Sequence, residues 1–149
     1  MDRKTFITSC GFLCAAGTGG MMSLIQSCAG SRMVSGTIAG EFLVVSLDAF
    51  ISENKDGVTY RNYIVVNHEN LQYPVCVYRF TEKEYSALLM KCTHQGNELT
   101  VYGDKLHCAA HGSEFDKKGI VTTGPSVQPL RTFPVHIENN QLKISLKAS

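Results

Sequence analysis

The sequence predicts an all-β chain, a small antiparallel β-sandwich carrying one insertion. Three observations point there. Residues 42–47, 63–66 and 75–80 are β-branched and aromatic runs bounded by turn formers. Lys55-Asp56-Gly57 and Gly103-Asp104 mark hairpin turns, the second lying between runs at 99–102 and 105–108. The chain closes on a further pair, 132–137 and 141–146, about a turn at Glu138-Asn139-Asn140. Between these sets, residues 92–123 read as the insertion, and they hold the residues with chemistry to offer. Residues 85–91 fit helix or strand equally well by periodicity.

Residues 1–27 read as an export signal rather than as fold. Arg3 and Lys4 give a short basic start, and an uncharged stretch follows from 5 to 30, broken by Gly17, Gly19 and Gly20. Arg3-Lys4-x-Phe6-Ile7 resembles a twin-arginine signal in which Lys replaces the second Arg. That route carries proteins already folded around a cofactor, and Sec export is the alternative. Ile25-Gln26-Ser27-Cys28 resembles a bacterial lipoprotein cleavage site, which makes Cys28 the lipid attachment residue. The rival is an uncleaved membrane anchor. A span needs about 20 predominantly apolar residues, and the Gly, Ser, Thr and Gln content makes this stretch a poor one. Either way the expected location is exported and membrane-anchored, on the periplasmic side in a bacterium. Residues 28–40, rich in Ser, Gly and Ala, read as a flexible tether with a mean span of roughly 20 Å. Residues 41–149 then form the folded domain.

Charge narrows the partners. Without Asp2, Arg3 and Lys4, the thirteen acidic and fourteen basic residues become equal in number. A neutral domain without a basic stripe argues against nucleic-acid binding.

The informative motif is Cys92-Thr93-His94 with Cys108-Ala109-Ala110-His111, with thirteen residues between His94 and Cys108. Two thiolates and two imidazoles suit either a tetrahedral zinc ion or a [2Fe–2S] cluster with two sulfurs on one iron and two nitrogens on the other. Common zinc patterns pair Cys with Cys and His with His, whereas here each loop is mixed. Further residues join the pattern: Gly96, Gly112-Ser113, Phe115-Asp116, Gly124-Pro125 and Pro129-Leu130. Together they resemble the Rieske iron–sulfur family across residues 41–146.

That resemblance implies a Rieske-like sandwich with an inserted cluster-binding subdomain and one [2Fe–2S] cluster per chain. Cys92, Cys108, His94 and His111 would be its ligands, and residues 85–91 the strand leading into the first loop. Ser113 would donate a hydrogen bond from its hydroxyl to a cluster sulfide. Neutral imidazoles in place of two thiolates raise the potential from about −400 mV into a window of roughly −150 to +300 mV. The outer imidazole nitrogens can also carry protons, so the midpoint is expected to fall by about 59 mV per pH unit for each coupled proton. Three departures stand out. High-potential members carry a second Cys in each loop, and these form a disulfide; here the positions are Asn97 and Ala110. Phe115 stands where those members have a Tyr whose hydroxyl bonds a ligand sulfur, and Gln95 replaces a Leu of their quinol-contact surface. A potential in the lower half of the window is therefore expected.

Of six cysteines, Cys10 and Cys14 fall in the signal, and Cys76 alternates with Tyr78 and Phe80 on a strand and should face the core. His68, His107 and His136 lack ligand spacing and receive no role. The expected function is one-electron transfer, as a membrane-tethered carrier or as the iron–sulfur subunit of an exported oxidoreductase. Its partner would be a cytochrome or membrane oxidoreductase, with a quinol as a candidate, and the chain is not expected to be catalytic alone. A catalytic oxygenase subunit needs a further iron site of two His and one carboxylate, for which 149 residues leave no room. The alternatives are a Rieske ferredoxin serving an oxygenase and a metal-stabilised binding lipoprotein.

Overall fold

The computed structural model describes residues 32–147, so the export signal expected at 1–27 and the lipid attachment expected at Cys28 lie outside the described residues. In chain order the strands are Met33–Ser35 (β1), Thr37–Ala39 (β2), Phe42–Ser46 (β3), Ile51–Asn54 (β4) and Gly57–Tyr60 (β5). Tyr63–Asn67 (β6), Val75–Arg79 (β7), Tyr85–Leu89 (β8), Thr100–Tyr102 (β9) and Lys105–His107 (β10) follow. Glu114–Phe115 (β11), Val121–Thr123 (β12), Thr132–Phe133 (β13), Val135–Glu138 (β14) and Gln141–Ser145 (β15) complete the set. A 3-10 turn, Leu47–Phe50, opens with the Ser46 side chain accepting the Asp48 N–H.

A central sheet in the order β1-β6-β7-β8-β13 lies between two others, β14-β15-β3-β2 and β12-β11-β10-β9. Alternation along the central strands explains the layering. Ile64, Val66, Val75, Val77 and Ala87 pack with Leu43, Val45, Leu142 and Ile144 on one face. Val65, Cys76, Tyr78 and Leu88 pack with Leu99, Leu106 and Phe115 on the other. A strand covered on both faces needs a continuous apolar run rather than a polar–apolar alternation, and 75–78 is one. Cys76 is fully buried on the insertion side, as its alternation predicts. The all-β expectation holds, and residues 85–91 contain β8 rather than a helix.

The structure corrects the N-terminal boundary. Within the tether expected at 28–40, β1 pairs in parallel with β6 and β2 pairs antiparallel with β3, so the folded domain already includes Met33. Composition misled because the small residues here serve close packing. A Cβ on Gly36 would come within 2.6 Å of Leu43 Cδ1 and 2.8 Å of Val66 Cγ1. Gly36 lets the chain step from one sheet to the next while its N–H bonds Asn67 O at 2.9 Å. Val34 and Ile38 drop into the core on either side of it. The parallel β1–β6 pair is also the one departure from a wholly antiparallel sandwich among the described residues.

Candidate metal centre

Two loops meet at one end of the molecule. The first leaves β8 through Met90, whose N–H bonds Pro74 O at 3.0 Å and whose carbonyl accepts the Leu99 N–H at 3.0 Å. The second joins β10 to β11. Their backbones are wired alike. The Cys92 carbonyl accepts the Gly96 N–H at 2.9 Å, and the Cys108 carbonyl accepts the Gly112 N–H at 2.8 Å. The Cys92 N–H donates to Asn97 O and the Cys108 N–H to Ser113 O, both at 2.8 Å. Each reversal needs a left-handed residue at its end, and Gly96 (φ 77°) and Gly112 (φ 82°) supply it.

This wiring sorts the side chains by depth. Cys92 and Cys108 are 1 % and 0 % exposed, within the same buried cluster as Phe115 and Leu106. His94 and His111 stand outside, with ring centroids 4.8 Å apart and planes at 84°. A third segment, following the cis Gly124-Pro125 bond, closes the side of the site. Its Ser126 is buried; the Ser126 N–H donates to Ser113 Oγ at 3.0 Å, and Ser126 Oγ lies 3.4 Å from Cys92 Sγ.

Burial alone would raise the Cys92 pKa. The Ser126 hydroxyl, the backbone N–H groups of His94 and Gln95 and the neighbouring Cys108 sulfur outweigh it and lower the thiol below its ordinary range. The opposite holds for Cys76, whose pKa burial pushes up to about 12 against a smaller effect of Tyr78. One thiol is prepared to be an anion and the other is not.

The donor set fits a binuclear cluster. Two buried sulfurs and two exposed imidazoles form separate pairs. Ser113 is fully buried, its oxygen accepts from Ser126, and its hydroxyl proton meets no acceptor among the described residues. A donor in that condition fits an acceptor atom that a bound cluster brings with it.

Two ties hold the first loop where a disulfide is absent, and Cys76, Cys92 and Cys108 are all free thiols. The Tyr73 hydroxyl donates to Gly96 O at 2.8 Å, and Thr93 Oγ1 donates to Gln128 O at 2.7 Å. Sequence reasoning missed Tyr73, Thr93 and Ser126. Only the Gly124-Pro125 turn beside Ser126 offered a signal. The histidines without a role sit elsewhere: His107 beside Glu114 (3.9 Å), His136 against Phe42, and His68 accepting the Asn70 N–H.

The family model for the Rieske [2Fe-2S] domain matches residues 51–134, and the chain belongs to that family. It therefore binds a [2Fe–2S] cluster and serves iron–sulfur electron transfer. Among solved structures it is similar to the cyanobacterial plasma membrane Rieske protein PetC3 from Synechocystis PCC 6803, at 26% identity over 56% of this chain and 86% of that one, TM-score 0.49. It is also similar to the Sphingomonas yanoikuyae B1 ferredoxin, at 28% identity over 56% and 84%, TM-score 0.44. Naphthalene 1,2-dioxygenase with indole bound shares the fold, at 17% identity over 71% of this chain and 26% of that one, TM-score 0.53. No curated protein sequence matches the chain. No helix among the described residues is long and apolar enough to cross a membrane.

Proposed function

We propose that this chain is a membrane-tethered one-electron carrier, or the iron–sulfur subunit of an exported oxidoreductase. In this reading Cys92 and Cys108 hold one iron of the cluster, and His94 and His111 hold the other. The observation that carries it is the division of the site into two buried sulfurs and two exposed, mutually contacting imidazoles. When bound, the cluster supplies one-electron chemistry in a window of roughly −150 to +300 mV. Cys92 and Cys108 shield their side from water, while His94 and His111 present ring edges to a partner. Ser113 directs its hydroxyl proton inward.

The basic start at Arg3-Lys4 and the Ser27-Cys28 junction support export and lipid attachment on the non-cytoplasmic side. The partner is then a cytochrome or a membrane oxidoreductase, with a quinol as the candidate donor. A ferredoxin serving an oxygenase is the second reading, favoured by the absence of a disulfide among the described cysteines. Two experiments decide. Reduced, purified protein should give the EPR signal of a mixed Cys/His [2Fe–2S] centre with equimolar iron and acid-labile sulfide; zinc without iron refutes the cluster ligation. Fractionation of cells should place the protein in the membrane, and Cys28→Ala should release it; a cytoplasmic pool insensitive to Cys28→Ala favours the ferredoxin.

A further inference from the structure

We propose that Ser126 raises the reduction potential of the centre by donating its hydroxyl proton to the Cys92 sulfur, while its backbone fixes Ser113 as a second inward donor. The inference rests on the ligand role of Cys92 proposed above and adds a residue outside both ligand loops.

Three observations combine. Ser126 is 4 % exposed, so water does not satisfy its hydroxyl, and its Oγ lies 3.4 Å from Cys92 Sγ. In the free thiol either atom can be the donor. A thiolate on iron has no proton left, so the bond then runs only from Ser126 to sulfur. Lastly, the Ser126 N–H occupies a lone pair of Ser113 Oγ at 3.0 Å. With that position taken, the Ser113 hydroxyl proton points away from Ser126, and no other acceptor among the described residues meets it.

The direction of the effect follows from charge. Reduction adds one negative charge to the cluster and its sulfurs, and a hydrogen-bond donor stabilises that charge more than the oxidised state. The same residue governs both donors, one through its side chain and one through its backbone. Removing the Ser126 hydroxyl keeps the N–H and therefore spares Ser113. The two donors are separable by mutation.

The test is redox titration of holoprotein followed by EPR. Ser126→Ala should make the reduced form about tenfold less favoured at a fixed ambient potential, a fall of about 59 mV for one electron. Ser126→Thr, which keeps a hydroxyl, should stay near the unmodified value. Ser113→Ala should also lower the midpoint, and the double variant should fall further than either single one. The signal shape should persist, because no ligand has changed. If Ser126→Ala loses the cluster, the isosteric pair Ser126→Thr and Ser126→Val carries the same comparison. An unmoved or raised midpoint in Ser126→Ala overturns the proposal, as does a Thr variant that falls as far as the Ala or Val variant. Absence of the mixed-ligand signal in unmodified protein would instead refute the cluster ligation itself.

Discussion

Without a disulfide, the grip of the first loop on its cluster should depend on Tyr73. Its hydroxyl reaches across 23 residues of chain to the Gly96 carbonyl at 2.8 Å, at the residue whose left-handed backbone ends the loop. Tyr73→Phe removes that bond and keeps the ring over which Lys91 lies, 5.3 Å from its centroid. A half-buried neutral hydrogen bond contributes about 0.5–1.5 kcal/mol net. At 1.36 kcal/mol per factor of ten in rate, opening of the loop should quicken by roughly two- to tenfold. Thr93→Val cuts the second tie, to Gln128 O, which shares no partner with the first, so the two effects should multiply. The assay is loss of visible absorbance from holoprotein in excess iron chelator. Tyr102→Phe is the control, because Tyr102 is 73 % exposed and lies on another strand. Equal bleaching rates for unmodified protein and Tyr73→Phe, or equal acceleration by Tyr102→Phe, would refute the reasoning.

The remaining expectations concern ligands, backbone, charge and thiol reactivity. Replacing His94 or His111 with Ala should abolish the mixed-ligand EPR signal, and a surviving signal removes that histidine from the ligand set. Gly112→Ala should cost about 1–2 kcal/mol in urea melts, because the new Cβ enters open space and only the positive φ is strained. Gly119→Ala adds contacts of 3.1 Å to Leu88 and 3.2 Å to Leu130 and should cost about 1–3 kcal/mol more; equal losses would contradict this. Glu114 is held below the ordinary carboxylate range, first by the Lys105 hydrogen bond and then by Thr123. A lowered folded pKa means stability present above the unfolded pKa of about 4.3 and lost as pH falls through the folded one. Glu114→Gln should flatten the acid side of the stability profile, and an unchanged profile would show that the pair contributes nothing. Cys76, buried and pushed up to about 12, should resist iodoacetamide in native protein at pH 8 and react only on unfolding.

The central strands were legible because burial on both faces demands apolar residues at consecutive positions, and 63–66 and 75–78 show that directly. The two Cys/His pairs stood out because thiols and imidazoles at close spacing have few other uses. Residues 32–40 were not, since Ser, Gly and Ala look the same whether they loosen a chain or let two sheets approach. Ser126 was not, because a serine after a Gly-Pro turn is ordinary and its partner lies 34 residues away in sequence. Tyr73 stayed hidden for the same reason. What fixes these residues is the meeting of three loops.

The spacing of the Cys and His residues gains meaning from the shared wiring. Cys to Gly is four residues in both loops and closes with the same pair of backbone bonds, whereas the histidine comes two places after Cys92 and three after Cys108. Two loops of like backbone therefore offer their imidazoles from different positions. The rings meet edge to face rather than stacking as mirror copies. Their surroundings differ too. Exposed Thr93 and Gln95 flank His94, whereas His111 has exposed Ala110 on one side and Gly112 on the other. A partner meets longer polar side chains on the first loop and little more than backbone on the second.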